Sequence, residues 1–244
     1  MIAEWQPWRH VGPAPRRHGM LLIADHASNH VPDDVVLGID PGLLNEHIAI
    51  DIGVEGVAER MARRHGIPAQ IACVSRLVCD LNRDEDDPAV VPAVSDGHTI
   101  PGNIGADVER RLSRFHRPYH AAFAHWIDEV EPLVLVSLHS FTPALRSAPT
   151  ARPWEVGILY NTDDRAARHA IPLLGQRGFT VGDNEPYSGK VLNATMNRHA
   201  EARGIPYLGI EVRQDQIATE AGQARWAALL AEVAGQVALM LEAA

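Results

Sequence analysis

Residues 133–139 read Leu-Val-Leu-Val-Ser-Leu-His. An apolar, β-branched run of this length reads as a buried strand, and Ser140, Phe141 and Thr142-Pro143 then turn the chain. The strand ends on a polar residue, His139. The same arrangement recurs along the sequence. MLLIA (20–24) is a strand followed by Asp25-His26. IPAQIACVSRLVCDL (67–81) reads as a strand region closing on Asn82-Arg83. VGILY (156–160) is another, and IPYLGIEV (205–212) carries Glu211.

Helical segments separate these strands. Residues 43–65 repeat Val54, Val57, Ala58 and Met61 at helical spacing; Arg63, Arg64 and His65 suit the negative helix end, and Gly66 supplies a left-handed cap. Residues 106–130 read as helix, with a kink or break expected at Pro118. Residues 164–178 form a short helix ended by Gly178, and the last stretch repeats Trp226, Leu229, Leu230, Val233 and Val237 on one helical face. Residues 84–107 are acidic, rich in Pro and Gly, and read as a long loop, a feature that is often a functional rim or lid. Strands alternating with helices predict an α/β fold: one domain over 1–244, a mostly parallel or mixed sheet flanked by helices, and an irregular N-terminal segment over 1–19.

The chain has 244 residues, 46% hydrophobic and 22% charged, with a net charge of −9. An acidic chain with no basic block repels phosphate backbones, which argues against a nucleic-acid partner. No apolar run approaches the roughly 20 residues of a membrane span, and the N-terminus lacks the apolar core of a signal peptide. A cytoplasmic protein is expected. Cys73 and Cys79 fall on one expected strand, about 20 Å apart if extended, too far to bridge.

Ligands of open α/β sheets bind beyond the carboxyl ends of the strands. His26 and His139 stand there and suit zinc through neutral imidazole; the bland reading of either is a hydrogen-bonded loop histidine. His30 ranks lower, because Asn29 and Pro32 oppose the helix that a His-x3-His pair needs. A third ligand is expected, and Asp51 is the candidate. It shares the inward face of the expected helix with Val54 and Ala58, where a carboxylate needs a partner. A helix cap or a buried salt bridge would also satisfy it, and Glu46, His47 and Glu55 compete. Glu211 suits a general base, or else a salt bridge with Arg213 on the same strand face. Arg83, Asn82, Arg76 and Arg213 are candidates for holding a substrate carboxylate, with Asp80 orienting an arginine from behind. Tyr187 and Lys190, in DNEPYSGK (183–190), could reach a substrate anion or merely decorate a turn. His116 and His120, four residues apart, offer a weaker metal pair or a pocket wall.

DHASNHVP (25–32), SRLVCDLNR (75–83), SLHSFTP (137–143), DNEPYSG (183–189) and GIEVRQD (209–215), in this order, resemble the N-formylglutamate amidohydrolase family. The resemblance runs from about residue 20 to about residue 238. It implies a fold similar to zinc carboxypeptidases and aspartoacylases, one zinc ion, and a small anionic amide as substrate, N-formyl-L-glutamate first. Those relatives use an Asn-Arg pair for the substrate carboxylate and a late Glu as base, here Asn82-Arg83 and Glu211. Cell-wall zinc amidases offer a ligand pattern that maps onto His26, Asp51 and His139. Two departures stand out. Asn29 occupies the position of an acidic ligand in carboxypeptidases, and Ile52-Gly53 replaces a Trp-His pair that better-known deformylases carry after the corresponding aspartate. A zinc amidase on another N-acyl compound, and a metal-free binding protein for an acidic metabolite, are the alternatives.

Overall fold

A computed structural model describes residues 5–243. Seven strands form one mixed sheet: β1 (Trp8–Val11), β2 (Met20–Ala24), β3 (Ala69–Ala72), β6 (Val134–Phe141), β7 (Val156–Leu159), β8 (Val181–Asp183) and β9 (Tyr207–Arg213), in the order β1-β3-β2-β6-β9-β7-β8. The inner strands β3, β2, β6 and β9 are parallel; β1 runs antiparallel to β3, and β7 antiparallel to β9. The carboxyl ends of the inner strands therefore open on one edge of the sheet.

Helices cover both faces. On one, α1 (Val54–His65) packs on the β1, β2, β3 and β6 side, α4 (Arg165–Gln176) packs on β7, β8 and β9, and α6 (Glu220–Glu242) bridges α1 and α4. On the other lies α3 (Arg117–Val130). Adjacent residues of β1 show this directly, since strand side chains alternate between faces. Arg9 pairs with Glu55 and Glu59 of α1, whereas His10 stacks on Trp126 of α3 at 4.0 Å. Core side chains such as Leu21, Ile23, Met61, Tyr207 and Trp226 are fully buried. Truncating Leu230, which anchors α6, would cost about 2–5 kcal/mol by the usual scale of buried Leu-to-Ala changes.

The structure corrects several expectations. The helix expected over 43–65 begins only at Val54; residues Pro41–Asn45 form one 3-10 turn. Gly53 precedes the helix at φ 83, a left-handed conformation through which a right-handed helix does not propagate. Asp51 thus lies in the loop before α1. The strand expected over 67–81 is confined to Ala69–Ala72: Ser75 takes Leu77 N–H on its hydroxyl and Val78 N–H on its carbonyl, which turns the chain. Cys73 and Cys79 are free thiols and do not share a strand. The N-terminal segment, expected to be irregular, contributes β1; β8 and the short α5 (Ala194–His199) are further elements without strong periodicity. The loop over 84–107 holds a small hairpin, β4 (Val94–Ser95) and β5 (His98–Thr99), turned by Asp96-Gly97, a dipeptide that is itself a hairpin signal. Pro118 does not break its helix. α2 (Val108–Arg111) runs into α3 through a wide turn, Leu112–His116, in which Arg117 N–H reaches Leu112 O. Lastly, α6, at 23 residues, is long and apolar enough by composition to cross a membrane. Its Trp226, Leu230, Val233 and Val237 are nevertheless buried in the core cluster.

Candidate active site

His26 follows β2, Asp51 precedes α1, and His139 lies near the end of β6. Asp51 N–H donates to the His26 carbonyl at 2.9 Å, so the two loops are tied by their backbones. The three residues are buried, and each offers a ligand atom within 4.8 Å of the others. His139 Nδ1 lies 2.8 Å from Asp51 Oδ2 and His26 Nδ1 lies 3.5 Å from it, while Ser140 N–H donates to that oxygen at 3.2 Å.

A carboxylate stands behind each imidazole. His26 Nε2 meets Asp80 Oδ1 at 2.7 Å, and His139 Nε2 lies 3.5 Å from Asp25 Oδ2. Tyr119 donates its hydroxyl to Asp25 at 2.8 Å. Arg76 spans the cluster, donating to Asp51 Oδ1 at 3.1 Å and Asp80 Oδ2 at 2.9 Å. Burial raises the Asp25 carboxyl, but His139 and His26 outweigh it and bring it down to about 2. Burial and Arg76 push the His26 imidazole down, and Asp80 and Asp51 return it above its ordinary value.

Glu211 sits on β9 directly opposite His139 on β6. It is 8% exposed, and its Oε2 has no hydrogen-bond partner among the described residues. Burial pushes its carboxyl up to about 7; His139 opposes the rise and Asp51 adds to it.

These residues suit a divalent cation. Among the described residues His26 Nδ1 is buried without a hydrogen-bond partner; it lies 3.5 Å from Asp51 Oδ2, and the His26 and His139 rings are 4.8 Å apart. Two imidazoles and a carboxylate are a common catalytic zinc set, and carboxylates behind the imidazoles fix ring orientation as metal-ligating histidines require. Four carboxylates, Asp25, Asp51, Asp80 and Glu211, are all buried here, an excess of negative charge that a cation would offset.

The sequence-derived residues His26, Asp51, Arg76, Asn82, Arg83, His139, Tyr187 and Glu211 all line one cleft of about 250 Å³. Asn82 Oδ1 accepts Thr195 N–H at 3.0 Å, Arg83 pairs with Asp87 at 3.1 Å, and Tyr187 takes a hydrogen bond from Arg152 at 3.0 Å. Arg213 is not in the cleft. β9 ends there, the following 3-10 turn brings Asp215 back at 2.7 Å, and the guanidinium also donates to the carbonyls of Arg152, Pro153 and Trp154. Lys190 is exposed and His30 lies outside the lining. His47, a competitor for metal, lines the cleft but is held by Asp96 at 2.9 Å.

The sequence reading passes over Asp25, Tyr119 and Asp96. Asp25 stands at a strand end beside His26, a signal available in the sequence. Asp96 accepts from His47, from the backbone N–H groups of Arg146 and Ser147, and from the Ser147 hydroxyl, and so fastens the hairpin turn to the segment after β6. Nothing local to VSDGHT signals that partnership.

Known proteins share this arrangement of the chain. The structure matches that of gene product Atu2144 from Agrobacterium tumefaciens with a TM-score of 0.92 and 31% identity, over 99% of this chain and 98% of that one. It matches an N-formylglutamate amidohydrolase from Ralstonia eutropha JMP134 with a TM-score of 0.71 and 21% identity, over 98% of this chain and 99% of that one, a likeness of fold. No curated protein matches the sequence. The model of the family described as N-formylglutamate amidohydrolase matches residues 18–218. The chain belongs to the N-formylglutamate amidohydrolase family.

Proposed function

We propose that the cleft hydrolyses the formyl amide of N-formyl-L-glutamate, releasing formate and glutamate, with a divalent metal, zinc first, held by His26, Asp51 and His139. The observation that carries this reading is the convergence of those three buried residues with Glu211 in one cleft that also holds Asn82 and Arg83. A metal ion bound there supplies Lewis acidity, polarising the amide carbonyl and acidifying water.

The chain's own residues do the rest. Glu211, with a free oxygen and a carboxyl near neutrality, takes a proton from the attacking water. The water oxygen bonds to the formyl carbon, the carbon–nitrogen bond breaks, and Glu211 returns the proton to the departing amine. Arg83 and Asn82 hold a substrate carboxylate; a guanidinium fork suits it, and among the described residues Arg83 has only Asp87 as a competing partner. Arg76, shared between Asp51 and Asp80, orients the metal-facing carboxylate. The partner is a small anionic amide.

Formate release from N-formyl-L-glutamate tests the reading. Metal-loaded protein should turn the substrate over, a chelator should abolish turnover, and added zinc should restore it. Turnover unaffected by exhaustive chelation would overturn the metal role; no release by metal-loaded protein would overturn the substrate.

A further inference from the structure

Three histidines that the reaction does not use are buried behind the cleft. His116 is 0% exposed, His120 4% and His199 2%. They come from the wide turn before α3, from α3 itself, and from the end of α5. His116 and His120 do not form a metal pair. His116 Nε2 lies 2.9 Å from the Arg83 carbonyl, and His120 Nε2 lies 2.9 Å from the Leu81 carbonyl.

A carbonyl only accepts, so both imidazoles carry their proton on Nε2. His120 Nδ1 is then an acceptor, and it lies 2.9 Å from His199 Nε2. His199 must therefore also carry its proton on Nε2. The relay runs from His199 to His120 to Leu81 O, with His116 gripping Arg83 O beside it. The nitrogens left over, Nδ1 of His116 and of His199, have no hydrogen-bond partner among the described residues. Both are bare lone pairs, which are cheaper to bury than an orphaned N–H.

The gripped carbonyls flank Asn82. Its other contacts belong to the same brace: Thr195, on α5 with His199, donates its N–H to Asn82 Oδ1 at 3.0 Å and its hydroxyl to Leu81 O at 3.3 Å. Residues 81–83 belong to no helix or strand. Their placement thus depends on hydrogen bonds from behind, and losing them lets the carboxylate-binding groups drift from the substrate.

The geometry points to His116, His120 and His199 as positioning residues, an imidazole relay that fixes the Leu81–Arg83 backbone so that Asn82 and Arg83 meet the substrate carboxylate. This rests on the reading of Asn82-Arg83 as the carboxylate arm.

The test compares His116→Leu and His120→Leu, which delete the donor, with His116→Gln and His120→Gln, whose amide N–H reaches a similar point. Each full-length variant is assayed with N-formyl-L-glutamate and examined by hydrogen exchange over residues 80–87. The Leu variants should raise KM about tenfold or more with kcat within about threefold, and the Gln variants should restore KM. In an Arg83→Ala background the Leu substitutions should add no further rise in KM, because they act through that residue. Exchange over 80–87 should accelerate in the Leu variants while α3 stays protected. Full additivity with Arg83→Ala, or loss of kcat without change in KM, would overturn the relay. Absence of turnover in the parent protein would sink the carboxylate-arm reading instead. In that event exchange over 80–87 still decides the brace: unchanged protection in the Leu variants overturns it.

Discussion

His139 on β6 and Glu211 on β9 stand opposite each other across neighbouring parallel strands. Paired residues of a parallel ladder point to the same face, so the candidate ligand and the candidate base are set side by side by main-chain register. The separation of their roles is open to test. Glu211→Gln should keep a full metal complement and lose about 10²–10⁴ in turnover, the usual scale for a general acid–base group. Metal analysis beside steady-state kinetics checks it; near-normal turnover would remove Glu211 from the chemistry.

Among the described residues, Asp80 reaches the candidate metal ligands only through His26 and Arg76. Asp80→Asn keeps the shape and weakens the acceptor behind His26 Nε2. Zinc affinity should fall by about 10–100-fold, the range typical of carboxylates behind ligating histidines. Competition with a chromophoric chelator measures it, and an unchanged affinity would contradict the arrangement.

His199 predicts how the fold responds to acid. Burial lowers its imidazole to about 4 from the usual 6.5, Asp25 and Asp128 opposing and Arg198 and Arg203 assisting. The unfolded chain therefore binds the proton first as pH falls, and stability held in full above 6.5 is lost between about 6.5 and 4. A difference of this size corresponds to about 3 kcal/mol. Denaturant midpoints should fall across that window in the parent and fall less in His199→Phe, whose ring can occupy the same apolar contact with Phe123. Identical pH profiles for the two proteins would refute the assignment.

Asp96 gathers four donors from two separate segments at the cleft rim. Asp96→Ala leaves the Arg146 and Ser147 amides without that acceptor, at about 1–3 kcal/mol if they remain dry. Limited proteolysis should then cut within residues 142–152 before any other described loop, with far-UV circular dichroism unchanged. A cleavage rate equal to the parent's would show that the clasp is dispensable.

The strands at 20–24, 134–141 and 207–213 are legible because each carries an apolar run bounded by turns, with a polar residue at or near its end, although β6 continues two residues past His139 to Phe141. The position of Asp51 was read through helical periodicity, yet the residue stands off the helix: Gly53 starts α1 late, and the His26 carbonyl holds the Asp51 backbone. Periodicity does not register a single left-handed glycine. Arg213 shows the opposite limit. Its alternation with Glu211 is correct, but the turn that follows returns Asp215 to it, a local pairing that strand alternation cannot reveal. The Tyr119 partner of Asp25 and the three-histidine brace depend on contacts between distant segments, as in Tyr119 with Asp25 and His120 with Leu81, for which one sequence carries no pattern.

β2, β6 and β9 are adjacent in the sheet but come from near the start, the middle and near the end of the chain. His26, His139 and Glu211 therefore meet only after long-range pairing is complete, which is a slow, late event in folding. A cation bound by this set would favour the native state alone and would raise the midpoint of unfolding with its free concentration. Nascent or half-assembled chains would compete poorly for zinc, so metal capture would mark the chain as finished.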